Sequence, residues 1–131
     1  NARQVKKDEL FSVSDFITCH CPLTSETENL INADSLSKMK SSAVLINTSR
    51  GPVVDENALA NALNTGKIAG AALDVLKKEP ADSENPLLNA KNCIITPHIA
   101  WAAKETRARL LSILDRNIES YLAGKPQNKV N

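Results

Sequence analysis

The sequence of 131 residues lacks the features of membrane, secreted and nucleic-acid-binding proteins. It has no apolar run near the roughly 20 residues that a membrane helix needs. Its 3 cysteines are an odd number, and their spacing matches no disulfide framework. The net charge is +1, and Lys and Arg are spread along the chain instead of forming the basic stripe that binds phosphates. We therefore expect reduced thiols in the cytoplasm and no membrane or nucleic-acid partner.

Glycine is also scarce, with 4 residues at positions 51, 66, 70 and 124. No G-x-G-x-x-G run is present, nor the acidic residue that follows such a run to bind a ribose. The chain therefore lacks the loop that seats a pyrophosphate on a helix N-terminus. The sequence therefore does not contain the pyrophosphate-binding part of a dinucleotide site.

Four short apolar runs each end in polar residues that can do chemistry. Apolar runs with helical segments between them are typical of a parallel sheet covered on both faces. Since parallel strands present their carboxyl ends to one crevice, we expect the polar residues to meet there. The predicted strands and the polar residues at their ends are 15–20 with Cys21 and Pro22, 43–47 with Thr48, Ser49 and Arg50, 70–75 with Asp74 and Glu79, and 93–96 with Pro97 and His98.

Local capping signals predict helices between these strands. Asn32 and Asp55 can each accept a hydrogen bond from a free N–H group at a helix start. Gly66 is placed to end the helix that Asp55 begins. A longer helix is predicted from about residue 103 to 123, where apolar residues recur at helical spacing. The polar stretch 77–92 contains prolines and is predicted to be a loop.

Three of the polar residues suggest a catalytic set. Arg50 follows a buried strand, where its planar guanidinium can hold a carboxylate with two parallel hydrogen bonds. His98 supplies an imidazole, the usual general acid near neutral pH, and a carboxylate such as Glu79 favours the imidazolium form. Each residue also has a plainer interpretation: a solvated arginine, a hydrogen-bonded core histidine and a loop carboxylate in water.

The cluster Cys19, His20 and Cys21 does not predict a metal site. Adjacent residues on a strand point to opposite faces, so these side chains cannot converge on one ion. The sequence has no second ligand pair at metal-finger spacing. We interpret the cysteines as buried thiols and expect no metal.

The order and spacing of these motifs resemble the C-terminal part of the D-isomer-specific 2-hydroxyacid dehydrogenases over nearly the whole chain. The resemblance rests on Asn-Thr-Ser-Arg-Gly at 47–51, on Asp74 with Glu79, and on Thr-Pro-His-Ile-Ala at 96–100. It implies an α/β fold, a partial Rossmann-type, doubly wound parallel sheet of about four strands with a long C-terminal helix. Residues 1–101 would form the C-terminal half of the dinucleotide-binding domain. Residues 102–131 would be the helix returning toward a substrate domain outside this fragment.

The resemblance also implies a role for each candidate residue. Arg50 would bind the substrate carboxylate, His98 would be the general acid/base, and Glu79 would be its paired carboxylate. The full-length parent would be a homodimer that uses NAD or NADP to reduce a small 2-oxoacid to a D-2-hydroxyacid. The residues expected at the cofactor are Cys21, Pro22, Thr27, Thr48, Ser49, Arg50, Asp74, His98 and Ala100.

The pair Ala100-Trp101 resembles the glycerate dehydrogenase (hydroxypyruvate reductase) branch of the family, so hydroxypyruvate and glycerate are the expected substrate pair. Trp101 has an alternative role as an interface or core residue. Two other functions stay open for the chain. One is a non-catalytic, NAD-responsive corepressor of the same fold, and the other is an isolated half-domain without activity.

Overall fold

The computed structural model describes residues 2–130, which contain one parallel sheet of 4 strands. The strands are β1 (Phe16–Cys19), β2 (Val44–Asn47), β3 (Gly70–Leu73) and β4 (Cys93–Ile95), in this spatial order. Each strand pairs in parallel with the next one. The predicted α/β fold with a four-stranded parallel sheet is therefore confirmed.

Local signals set the ends of two of the helices as predicted. Asn32 caps the second helix in a capping box with Ser35, and the Asp55 carboxylate accepts from two N–H groups in the first turn of the third. Gly66 follows the third helix with a φ of 70°, which glycine adopts without strain. The helices are α1 (Lys7–Val13), α2 (Ala33–Lys38), α3 (Glu56–Asn64) and α4 (Lys104–Leu122).

The core is one cluster of buried side chains from the sheet, from α1 to α3 and from the loops between them. Leu45 in β2 and Leu59 in α3 are both 0% exposed. Burying a side chain of this size contributes roughly 1.5–3 kcal/mol relative to leaving it in water. The core therefore fixes the elements on either side of Arg50.

The strands end level with one another. Cys19 pairs with Asn47, Asn47 with Leu73 and Leu73 with Ile95, and these are the last residues of their strands. Neighbouring strands lie roughly 4.8 Å apart. The residues that follow the strands therefore emerge side by side along one side of the sheet, which we call the carboxyl edge.

Each strand is one or two residues shorter than predicted. β1 loses one residue at each end and β2 its first residue, while β3 loses its last two residues and β4 its last one. Two 3₁₀ turns, Gly51–Val53 and Pro86–Asn89, are not predicted by the sequence analysis. Both have proline in their first positions. Turns this short carry no repeating apolar pattern that a sequence could reveal.

The chain divides into two compact units between His98 and Ile99. The second unit contains α4, and none of the residues described in this helix is buried. Its apolar side chains at Leu110, Leu114 and Ile118 are 58%, 51% and 49% exposed. The assignment of residues 1–101 and 102–131 to separate parts of a longer enzyme stays a prediction. Within residues 2–130, no helix is long and apolar enough to cross a membrane.

Candidate functional site

The loop after β2 presents Arg50 at the carboxyl edge, and the buried Asn47 fixes its shape. The Asn47 side-chain oxygen accepts hydrogen bonds from the N–H and the hydroxyl of Ser49, at 3.0 and 2.8 Å. Its amide nitrogen donates to the Arg50 carbonyl oxygen at 2.9 Å. These bonds close a tight turn, so the Arg50 backbone is held while its side chain stays exposed.

A recess of about 540 Å³ lies between the loops that follow β1 and β2, and we call it the arginine recess. The Arg50 guanidinium donates to the Ser49 carbonyl oxygen at 2.7 Å. A guanidinium carries several N–H groups, so donors remain for a bidentate hydrogen bond to a carboxylate. The recess is lined by His20, Cys21, Pro22, Leu23, Thr48, Ser49 and Arg50.

The loop after β3 and the end of β4 bring Glu79 and His98 into contact. His98 Nδ1 donates to Glu79 Oε2 at 2.7 Å, since an ionised carboxylate can only accept. The other carboxylate oxygen, Oε1, accepts from the N–H of Leu76 at 2.9 Å. The bond from His98 and then the bond from Leu76 hold the pKa of Glu79 below its usual range. Glu79 is therefore charged at neutral pH and orients the imidazole.

The backbone at His98 is unusual for a residue other than glycine. Its φ is 54°, in the left-handed region, and its N–H donates to the Thr96 carbonyl oxygen at 3.0 Å. This tight turn follows β4 directly. Residues held in sparsely populated backbone regions cluster at functional sites, which agrees with the candidate role of His98.

A second recess of about 400 Å³ contains this pair, and we call it the histidine recess. Asp74 lines it, is only 5% exposed and accepts a hydrogen bond from the Thr96 hydroxyl. Pockets that bind small molecules commonly have volumes of roughly 300–1,000 Å³ with few polar groups in apolar walls. The lining residues are Asp74, Leu76, Glu79, Pro80, Ala81, Leu88, Ile95, Thr96, Pro97 and His98.

Gly51 allows the loops of the two recesses to meet. A Cβ atom at Gly51 would lie 2.0 Å from the carbonyl carbon and oxygen of Leu76 and 2.4 Å from the N atom of Lys77. Only glycine leaves room for so close an approach of two backbones. The loop that carries Arg50 therefore packs directly on the loop that carries Glu79.

Known proteins of one family resemble the chain along most of its length. The family model for the D-isomer specific 2-hydroxyacid dehydrogenase, NAD binding domain, matches residues 1–100. The chain belongs to this family. It is 53% identical over 131 residues to the hydroxypyruvate reductase of Blautia hydrogenotrophica and 50% identical over 128 residues to the glycerate dehydrogenase of Methylorubrum extorquens. These alignments cover 100% and 96% of this chain.

A solved structure shows the same fold as this chain. An acyclic imino acid reductase in complex with NADPH and D-Arg has a TM-score of 0.91 and 42% identity to this chain. That match covers 98% of this chain and 41% of the reductase. The chain likewise spans 41% of the length of both relatives named above. The predicted family and its Rossmann-type fold are confirmed.

The residues predicted at the site of this dehydrogenase domain fall into three groups. The larger groups line the arginine recess and the histidine recess. Thr27 lines neither recess. Its hydroxyl donates to the Pro22 carbonyl oxygen at 2.6 Å and accepts from the N–H of Thr24 at 2.8 Å. Ala100 belongs to the second compact unit. The catalytic and cofactor-binding roles of all the residues in the three groups stay predictions.

Two residues of the site have roles that sequence reasoning missed. Asn47 shapes the Arg50 loop, and its signal is a polar residue at the end of a buried strand, where a side chain has to find partners. Glu56 accepts hydrogen bonds from Lys77 and Asn85, which lie 21 and 29 residues further along the chain. No local pattern reports contacts at that separation.

The cysteines are free thiols in this dehydrogenase domain. Cys19 is buried, and burial raises its pKa to about 11, with a further contribution from Cys21. Burial also raises the pKa of Cys93, which is half-buried like Cys21. Among the residues that the structure describes, no group of three or more His, Cys, Asp or Glu side chains is placed to hold a metal ion.

Proposed function

We propose that this chain forms the catalytic half of an NAD(P)-dependent dehydrogenase that interconverts a 2-oxoacid and a D-2-hydroxyacid. The observation that carries the proposal is the 2.7 Å contact between His98 Nδ1 and Glu79 Oε2 on the sheet edge that also carries Arg50. Reduction of a 2-oxoacid needs a proton donor at the carbonyl oxygen and a cation for the carboxylate. Membership of the family supports the same reaction.

Each residue of the proposed set performs one step. Arg50 binds the substrate carboxylate with two parallel hydrogen bonds and so fixes the neighbouring C2 carbonyl group. His98 gives its Nε2 proton to the C2 oxygen as negative charge develops there. Glu79 holds Nδ1 and stabilises the imidazolium until that transfer. In the oxidative direction the neutral imidazole takes the proton from the C2 hydroxyl.

The cofactor in this proposal is NAD or NADP, which supplies or accepts the hydride when bound. The histidine recess fits its nicotinamide end, because Asp74 and Thr96 provide polar groups in a mostly apolar wall. Thr48 and Ser49 would lie along the same end through their backbone. The phosphate-binding glycine loop is absent from this sequence, so the pyrophosphate has to be held by residues outside it.

The substrate pair in this proposal is hydroxypyruvate and D-glycerate. The names of the relatives at 53% and 50% identity, a hydroxypyruvate reductase and a glycerate dehydrogenase, support this choice. Trp101, which follows Ala100, is 52% exposed and so has surface for a substrate or a second subunit. We further propose a cytoplasmic homodimer, and the free state of the thiols supports a reducing compartment.

A chimera tests the proposed function without any assumption about flanking sequence. The chain replaces the aligned segment of the Blautia hydroxypyruvate reductase, and NADH oxidation is followed with hydroxypyruvate, glyoxylate and a branched 2-oxoacid. We expect turnover, with kcat/KM highest for hydroxypyruvate or glyoxylate, and the unmodified reductase serves as the control. A folded chimera that binds NADH but reduces no 2-oxoacid would contradict the reaction. A clear preference for the branched acid would contradict the substrate alone.

A further inference from the structure

Glu56 is the first residue of α3, and both oxygens of its carboxylate bind the loop that carries Glu79. Oε1 accepts from the N–H of Lys77 at 2.7 Å. Oε2 accepts from the side-chain amide of Asn85 at 2.9 Å. One carboxylate therefore ties both ends of the segment 77–85, with Glu79 between them, to the helix that follows the Arg50 loop.

The hydrogen bond at Lys77 lies next to the one that orients Glu79. The N–H of Leu76 donates to Glu79, and the next N–H along the chain, that of Lys77, donates to Glu56. The peptide between Leu76 and Lys77 is also the one that Gly51 packs against. If Glu56 releases Lys77, the backbone directly before Glu79 loses this anchor, and the Glu79 side chain can shift away from the N–H of Leu76 and from His98.

At the other end of the segment, Asn85 requires an acceptor at position 56. Asn85 is 8% exposed, and its side-chain oxygen already accepts from the N–H of Leu87 at 2.9 Å. Its amide group therefore cannot turn round without breaking that bond. A buried donor left without an acceptor costs free energy. The carboxylate of Glu56 meets this need and can still accept from Lys77.

An acidic residue in the first turn of a helix also interacts favourably with the helix dipole. That role needs only an exposed charge, whereas Glu56 is half-buried and uses both oxygens on the loop. Asp55 already caps α3 through two N–H groups. We propose that Glu56 is a positioning residue that holds the segment 77–85 so that Glu79 stays hydrogen-bonded to His98. The purpose of that pair rests on the proposed function.

The carboxyl titration of Glu79 tests this role in the 131-residue chain. Side-chain carboxyl ¹³C shifts are followed against pH by NMR in the wild type, Glu56→Gln and Glu56→Ala. The pKa of Glu79 is lowered by its bonds to His98 and Leu76, so it reports on both contacts. We expect it to rise in Glu56→Gln, which keeps one acceptor oxygen for the two donors Lys77 and Asn85, and to rise further in Glu56→Ala, which loses both bonds. Removing a nearby negative charge would by itself lower this pKa, so a rise identifies lost positioning.

Glu84→Gln is the matched control, because Glu84 lines the same polar recess as Glu56. It removes a charge while keeping both hydrogen bonds, and the pKa of Glu79 should not rise. An unchanged or lower pKa in both folded Glu56 variants would overturn the proposal. Loss of the folded state in Glu56→Gln would also overturn it, since Glu56 would then stabilise the whole fold. The titration needs no enzymatic activity, so its outcome is distinguishable from a failure of the proposed dehydrogenase reaction.

Discussion

Substituting Gly51 by alanine tests the contact between the two loops of the site. The added Cβ would lie 2.0 Å from the Leu76 carbonyl group, against the roughly 3.5 Å of an unstrained carbon contact. The obstacle is backbone, which cannot change rotamer, so the two loops have to separate. Overpacking costs about 1–3 kcal/mol, and we expect the upper end, ~3 kcal/mol. For a chain of this size that corresponds to a fall in Tm of ~12 °C.

Gly66→Ala is the matched control for this prediction. Gly66 has a φ of 70° and no atom within 4 Å of a built Cβ, so alanine there carries only a conformational cost of about 1–2 kcal/mol. Urea unfolding of both variants and the wild type gives the free energies. Gly51→Ala should be the more destabilised of the two. The close packing of the loops would be refuted if the free energy of unfolding of Gly51→Ala lay within 1 kcal/mol of the wild-type value and Gly66→Ala were the more destabilised variant.

Three further predictions concern individual side chains. Because the pKa of Glu79 is lowered in the folded chain, its charge stabilises the fold above the ordinary glutamate pKa of about 4.3. This stabilisation is lost as the pH falls through the pKa of Glu79 in the folded chain. In urea unfolding, the free energy of unfolding of Glu79→Gln should therefore fall less with decreasing pH than that of the wild type. Cys19 is buried and has a pKa of about 11, so at neutral pH it should react with iodoacetamide more slowly in the folded chain than in the urea-unfolded chain. Peptide mass spectrometry measures both rates, and equal rates would contradict its burial. Arg50→Lys in the chimera should raise KM for hydroxypyruvate by roughly tenfold, since a point charge replaces a planar fork, and an unchanged KM in the steady-state assay would contradict the proposed substrate contact.

Much of the fold could be predicted because its signals are local. Asn32 and Asp55 stand directly before the helices that they cap, and Gly66 stands directly after one. The apolar runs mark the strands, and parallel pairing then places their polar ends along one edge. The exact strand ends could not be predicted, because they depend on which ladder hydrogen bonds form with the neighbouring strand.

The arrangement of the candidate site depends on contacts that are distant in sequence. The sequence predicts both Arg50 and His98 at the carboxyl edge, and the strand register puts them there, but in separate recesses. The approach of Gly51 to Leu76 and the bonds from Glu56 to the segment 77–85 decide how these recesses adjoin. A sequence pattern does not report which backbone groups meet across the fold, so these determinants emerge only in three dimensions.

The turnover of His98→Ala in the chimera tests the central claim most directly. If His98 gives the proton to the C2 oxygen, its removal should lower kcat for hydroxypyruvate by roughly 10²–10⁴-fold. The dissociation constant for NADH, measured by calorimetry, should change little, because the proton donor acts mainly in the transition state. A folded His98→Ala chimera that keeps nearly normal kcat would contradict the assignment of His98, and with it the proposed role of its pair with Glu79.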